Sequence, residues 1–548
     1  MTNLFEKHKE SLTKAVSALH TRDYFTLYPE HPKAYGEDTG AAKFPAMMNE
    51  DFKELLQENP AAWKGEEVSP YLQTGLGIQY PTFEVEDLIA RSNVAYSQWK
   101  KISVEDRAGL LIECLEAVKT RFFEIAYATM HTTGQSFMMS FQASGPHGND
   151  RALEAIAVGY EELTQYPKEA QWVKNMGKFD VTLKKNWKPV SRGIGLVIGC
   201  STFPTWNTVP GVFADLITGN SVIVKPHPKS VLPIAIVIAE MQKVFKINGI
   251  NPEVVQLAVD GNDNLITKEL AEHKEVKLID YTGSSAFGEY LEGLTDKIVF
   301  TEKAGVNSLI LDSVNDMTPV VQNIAFSLAL YSGQMCTAPQ NVYVPETGVK
   351  TPTGTLSYEA VVTELANAIS GLVEHPKMGY ATLGGIQNDA TLRRAKEVVN
   401  LGGKAVLQAT PVENPEFTDA RTISPALIEV NAAEADVYGR ECFGPVMFVV
   451  KTKNTDESIA LAKASATKHG AITCAAYTTD NITMARIEDE MNEAFTPVSF
   501  NLTGAIFVNQ HAAFSDLHVT GGNPSGNATF ADHNYINRRF VWVGNRFA

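Results

Sequence analysis

Five short apolar runs, each closed off by glycine or polar residues, recur through the middle of the chain. They are GIGLVIG (193–199), SVIVK (221–225), VVQLAV (254–259), KLIDY (277–281) and SLILD (308–312). Rich in Val, Ile and Leu and without polar alternation, they read as strands buried on both faces. Helical segments separate them, and strands joined by helices pair in parallel, which predicts an α/β doubly wound architecture. Upstream, Leu88, Ile89, Val94, Ala95, Trp99, Leu110, Leu111, Leu115, Val118 and Phe122 fall near one 3.6-residue stripe and predict helices over 86–130. Residues 1–85 are the least regular, with an amphipathic stretch near Leu4–Leu19 followed by a run dense in Pro, Gly and charge. The segment 173–192 alternates and is rich in lysine, as a solvent-facing hairpin blunting a sheet edge would be. The aromatic stretch 534–547 is strand-like and needs burial, against its own domain or another subunit.

Composition narrows the function classes. With 548 residues, 44% apolar and 20% charged, the chain has the make-up of a soluble globular enzyme of two or three domains. Its net charge of −16 works against phosphate-backbone contacts, so nucleic acid is not an expected partner. The N-terminal stretch has no apolar signal region, and the most apolar run, 231–239, is too short for a membrane span and holds Pro233. Five cysteines lie far apart without a CxxC pair, which argues against disulfides and a metal site and for a reducing, cytoplasmic setting.

Four features carry chemistry. Cys336 sits in YSGQMCTAPQ, where a helical stretch gives way to small and polar residues suited to a close-approach turn. Taken alone, a buried packing cysteine would explain it as well. Glu302 precedes a small-residue turn. Paired with Cys336 it would supply the base that releases a covalent thiol intermediate. In KLIDYTGSSAFGEYL, Gly283 and Gly288 bracket Ser284 and Ser285 after a strand, as a phosphate cradle at a helix N-terminus does. Lys225 closes a strand at the end where α/β folds bind ligands.

Taken in order, these segments resemble the aldehyde dehydrogenase superfamily from about residue 86 to 530. RSNVAYSQWKKISVEDRAGLL, GNSVIVKP, YTGSSAFG, TEKAGVN, GQMC, ECFGPV (441–446) and GGNPSGNA (521–528) follow its motifs in sequence, and Glu302 and Cys336 keep the family's separation of base and nucleophile. The resemblance implies a Rossmann-like cofactor domain over 1–172 and 193–301, with 1–85 as an extension, and an α/β catalytic domain over 302–505. It implies an oligomerisation arm from 173–192 and 506–548. By this likeness Cys336 attacks an aldehyde and Glu302 activates the water that hydrolyses the thioester. Lys225, with His227 and Lys229 nearby, holds the adenosine ribose; Gly283, Ser284 and Gly288 take the pyrophosphate, and Glu441 and Phe443 the nicotinamide ribose.

Three departures stand out. The family's oxyanion-holding Asn aligns with Thr202, and Asn207, five positions further on, faces elsewhere if 203–216 is helical, so Thr202 with the Cys336 backbone N–H is expected to hold the oxyanion. Where NAD-preferring members carry a ribose-gripping Glu stands Pro228, which favours NADP while leaving NAD open. Lys303 follows Glu302, to lower its pKa or to point to solvent. The irregular N-terminus, STFPTWN and the aromatic tail look most like the phenylacetic acid degradation PaaN branch. That likeness implies a ring-opened semialdehyde, free or held as a CoA thioester. A cofactor-independent thioesterase, a CoA-acylating variant and a weakly catalytic acyl-CoA- or partner-binding homologue are the alternatives.

Overall fold

The computed structural model describes residues 4–303, 305–508 and 511–548. The irregular N-terminal region opens on a helix, Leu4–Thr21 (α1), whose buried face is Leu4, Leu12, Ala15, Ala18 and Leu19. It lies on Val104–Lys119 (α2) and Gly148–Thr164 (α3). Ser103 starts α2 by accepting from the Asp106 N–H, the expected polar cap before an apolar stripe. The alternating segment forms an antiparallel hairpin, Glu169–Asn175 (β1) and Asp180–Ser191 (β2).

All five apolar runs are strands. Ile194–Ile198 (β3), Ser221–Lys225 (β4), Val255–Leu257 (β5), Val276–Thr282 (β6) and Ile298–Glu302 (β7) build a wholly parallel sheet in the order β5-β4-β3-β6-β7. The order reverses at β3, so the carboxyl ends of β3 and β6 flank the crevice where such sheets take ligands. The fifth run, Ser308–Leu311 (β8), belongs to a second sheet. With Asn341–Pro345 (β9), Lys404–Leu407 (β10), Ala426–Asn431 (β11), Val446–Thr452 (β12), Cys474–Tyr477 (β13) and Val498–Phe500 (β14), it is ordered β10-β11-β12-β9-β8-β13-β14, with only the edge strand β10 antiparallel. Among the described residues no helix is long and apolar enough to cross a membrane.

The C-terminal strand Phe540–Phe547 (β15) pairs antiparallel with β2 of its own chain, giving a three-stranded sheet β15-β2-β1. Among the described residues of 506–548, only 540–547 join this sheet. Phe514, Phe530, Tyr535 and Ile536 pack into the main apolar core. The buried Arg539 guanidinium donates to Asp215 (2.7 Å) and Asp280 (2.6 and 2.8 Å), and Asp280 also accepts from Tyr535 Oη. A buried charge is tolerated only with such pairing, so 511–539 belongs to the body of the protein.

Candidate active site

The thiol is delivered by a strained turn. The helix Met317–Ala329 (α4) runs into Leu330–Gly333, where Tyr331 (φ 51°), Ser332 (φ 51°) and Gly333 (φ 61°) are all left-handed.

 For non-glycine residues that backbone costs about 1–2 kcal/mol each. At Gly333 a Cβ would sit 2.5 Å from the Gly444 carbonyl oxygen, so only glycine fits. Three side chains pin the turn: Tyr331 Oη donates to Thr133 O (2.8 Å), Ser332 Oγ to Gly384 O (2.8 Å) and Gln334 Nε2 to Gly385 O (2.9 Å). Asn307 Nδ2 donates to the Cys336 carbonyl at 2.8 Å. Strain held by this many contacts is the mark of a site that needs one fixed geometry.

Glu302 ends β7 and is 1% exposed. Its backbone is fixed on both sides, by Gly283 N–H donating to Glu302 O (3.1 Å) and Lys303 N–H donating to Ser525 O (2.6 Å). Its Oε2 accepts from Asn207 Nδ2 at 2.8 Å, and its Oε1 lies 3.3 Å from His518 Nε2. The same Nε2 is 3.8 Å from Cys336 Sγ. The three donor atoms of Glu302, Cys336 and His518 lie within 4.8 Å of one another, and among the described residues no fourth His, Cys, Asp or Glu joins them. Burial, with the Glu302 charge beside it, pushes the Cys336 thiol well above its ordinary pKa.

Two cavities meet at Cys336. The larger, about 630 Å³, is lined by Thr202, Lys225, His227, Gly283, Ser284, Glu302, Glu441 and Phe443, among others. Ser284 is the N-cap of Ser285–Glu292, so the free N–H groups of that helix open at the end of β6. Lys225 is buried, with Nζ 2.6 Å from Asp260 Oδ1 and donating to Pro226 O. Burial lowers His227 to about 4, helped by the charges of Lys225 and Lys229, so it is neutral near pH 7. Burial raises Glu441 to about 7, against the pull of Arg394, whose Nη1 donates to Phe443 O at 2.5 Å. The smaller cavity, about 390 Å³, is largely apolar, with Met138, Met139, Phe203, Trp206, Phe326, Leu330, Met335, Met378 and Phe507 in its wall.

Several sequence expectations change here. Asn207 faces the site after all. Residues 201–208 are bends and turns, and the helix begins only at Val209, so helical rotation does not apply. Thr202 lines the larger cavity, but its hydroxyl is turned to Cys200 Sγ (3.8 Å) and away from the oxyanion role expected of it. Lys303 neither points to solvent nor pairs with Glu302; it is buried and bonds Glu292 at 3.0 Å. Gly288 does not line the cavity. A Cβ there would meet the Lys303 side chain at 2.5 Å, so its smallness makes room for that lysine. Lys229 is likewise absent from the cavity wall. His518 and Arg394 escaped the sequence reading altogether. The one signal for His518 was its place three residues before GGNPSGNA, a segment that bonds Lys303 N–H through Ser525 O and pairs with Glu302 at Gly526.

Comparison with known proteins gives one consistent result. The family model for the Aldehyde dehydrogenase family matches residues 76–538. The solved structure of an NAD-dependent aldehyde dehydrogenase from Burkholderia multivorans is 42% identical, with a TM-score of 0.96 over 99% of this chain and 98% of that one. A putative aldehyde dehydrogenase FUS7 from Gibberella moniliformis is 26% identical over 396 residues, covering 70% of this chain and 76% of that protein. A 1-pyrroline-5-carboxylate dehydrogenase from Staphylococcus epidermidis is 25% identical over 405 residues, covering 69% and 71%.

Proposed function

The chain belongs to the aldehyde dehydrogenase family, and from that premise we propose that it oxidises an aldehyde to the carboxylic acid through a thioester on Cys336, with a nicotinamide cofactor. The observation that carries the reading is that Cys336 lies where a larger cleft carrying Lys225, Lys268, Arg394 and Glu441 meets a smaller cavity walled mainly by apolar side chains, with the buried Glu302 carboxylate at its side. The donor set of the larger cleft suits a dinucleotide. It combines a helix N-terminus after Ser284 for phosphate, the Lys225 ammonium, and the Glu441 carboxylate for ribose hydroxyls. Its volume is in the range that cofactor sites take. When bound, the nicotinamide supplies the hydride acceptor.

The residues divide the remaining work. Cys336 adds to the aldehyde carbon. The backbone N–H of Cys336 and Asn207 Nδ2 are the donors we assign to the resulting oxyanion, in place of Thr202. Glu302, held by Asn207, accepts a proton from the water that cleaves the thioester. A base kept this close to the thiol favours hydrolysis over transfer to CoA. We further propose that NADP is taken in preference to NAD. Pro228 brings no charge to the cleft that would repel a 2′-phosphate, and Lys268 lines the same cleft. The apolar second cavity suits a substrate with an aromatic or aliphatic body, in keeping with a semialdehyde of aromatic catabolism, free or as a CoA thioester. The exposed Trp172, Val173, Val190, Val541, Val543 and Phe547 of β1, β2 and β15 support assembly into a homo-oligomer through this sheet.

The test is absorbance of the reduced cofactor with a panel of aldehydes and semialdehydes, with NADP and NAD in parallel. The expected result is reduction that Cys336→Ala abolishes while the variant stays folded. No reduction with either cofactor overturns the dehydrogenase reading. Thioester or ester hydrolysis without cofactor would then favour the hydrolase alternative.

A further inference from the structure

We propose that His518 is the acceptor of the Cys336 thiol proton, so that thiol, imidazole and the Glu302 carboxylate form a relay that arms the nucleophile. The inference rests on Cys336 being the nucleophile of the proposed reaction. Three observations support it. First, one ring nitrogen, Nε2, faces both partners, 3.8 Å from Cys336 Sγ and 3.3 Å from Glu302 Oε1. Second, the ring is locked. It meets Trp206 edge-on (centroids 4.9 Å) and stacks on Phe530 (6.0 Å, 28°), and both of those rings flank the Arg151 guanidinium. Third, the next residue, Val519, is held at φ 57°, a left-handed backbone that a β-branched side chain strongly resists. Strain of that kind beside a buried imidazole points to a position kept for its chemistry.

The step solves a problem that the site otherwise has. A buried thiol beside a carboxylate holds its proton, and the thiolate is the nucleophile. The step takes the neutral ring in the tautomer with its proton on Nδ1; transfer then breaks the S–H bond and forms Nε2–H, the electron pair stays on sulfur and no atom is imported. The imidazolium then lies between thiolate and carboxylate, and its charge stabilises both. When the thioester is cleaved, the departing sulfur takes the proton back from Nε2, while the proton of the attacking water goes to Glu302. Among the described residues, Cys336 and Glu302 lie in direct reach of His518, and Asp516 stands two residues before it on its own segment. Arg151 lies behind Trp206 and Phe530.

The test reads the thiol without cofactor or aldehyde. The full-length enzyme is alkylated with iodoacetamide across pH, modification of Cys336 being located by mass spectrometry, with Cys336→Ser as the blank. Burial and Glu302 alone hold the thiol protonated at neutrality, and pairing with the His518 imidazolium is expected to bring the levelling-off of the wild-type rate down to near neutrality. In His518→Gln, which keeps a hydrogen-bonding side chain of similar reach, the rate at pH 7 falls about tenfold or more and the profile moves up by about one pH unit or more, the shift that removing a cationic neighbour produces. His518→Phe, which keeps the ring stack, is expected to behave alike. A His518→Gln profile that superimposes on the wild type overturns the proposal. Should neither variant fold, the wild-type profile decides: levelling off only above the free-cysteine value of about 8.5 overturns it, and levelling off well below supports it. Failure of the dehydrogenase reading shows separately, as absent cofactor reduction with Cys336 still alkylated rapidly at neutral pH.

Discussion

The two cavities that meet at Cys336 are built by different means. The larger one is walled by the ends of β3, β4, β6 and β7, whose positions follow from sheet order, so its polar groups converge as a consequence of topology. The smaller one is walled by helix flanks and loops drawn from 136–147, 203–207, 326–337 and 377–382, with Ala505, Phe507 and His518. Nothing in the strand order dictates which side chains those segments offer. On the proposed function, the cofactor chemistry belongs to the first and discrimination between aldehydes to the second. Cys336, Phe203 and Asn207 are in both walls, so the Cys336 thiol can be reached from either side.

The sharpest way to break that division is at Asn207, because it serves both walls. Asn207→Ala removes the amide that holds Glu302 and that we assign to the oxyanion, and loss of one such donor costs about 10²–10³ in kcat. Thr202→Val should cost far less, since the hydroxyl is turned to Cys200. Steady-state kinetics on the two variants decides the point. A loss in Thr202→Val as large as in Asn207→Ala would return the oxyanion role to Thr202.

What the sequence revealed follows the same line. Buried parallel strands announce themselves by unbroken apolar runs, and β3, β4, β6 and β8 lie where those runs placed them. Lys225, Ser284 and Glu302 could be read because each sits at or just beyond a strand end. Asn207 could not be read, because its place depends on whether 201–208 is helix or turn, and that is decided by packing. His518 was beyond reach for a different reason. It approaches Glu302 from 216 positions away in sequence, on a segment with no regular structure and no period to detect. Gly288 shows the converse error, for the glycine that looked like a phosphate contact makes space for Lys303.

A smaller effect is expected from the second cavity. Phe326 lies on α4 and lines that cavity alone. Phe326→Ala enlarges the wall without touching Cys336, Glu302 or the larger cleft. For an aromatic or long-chain aldehyde kcat/KM should fall roughly tenfold, within the range of 10–200-fold that one apolar contact supplies, while a two-carbon aldehyde and the cofactor KM barely change. Equal losses for short and long aldehydes would mean that the apolar cavity does not receive the substrate.

The mildest test concerns the larger cleft and its pH dependence. Burial raises the Glu441 carboxyl to about 7, so across neutrality it passes from neutral acid to carboxylate. A carboxylate accepts hydrogen bonds from ribose hydroxyls better than the neutral acid does. Cofactor binding should therefore tighten a few-fold between pH 6 and pH 8, and Glu441→Gln, fixed in the neutral form, should be weaker and flat over that range. The stability effect has the opposite sign. Because the folded-state pKa lies above the ordinary value of 4.5, the folded protein holds this proton more firmly than the unfolded chain, so Glu441 costs stability increasingly as pH rises from about 4.5 towards 7. Glu441→Gln should then melt slightly higher than the wild type at pH 8 and no higher at pH 5. Cofactor titration by fluorescence and thermal melts at the two pH values separate these effects. A wild type whose cofactor affinity is level from pH 6 to pH 8 would show that Glu441 is not the group gripping the ribose.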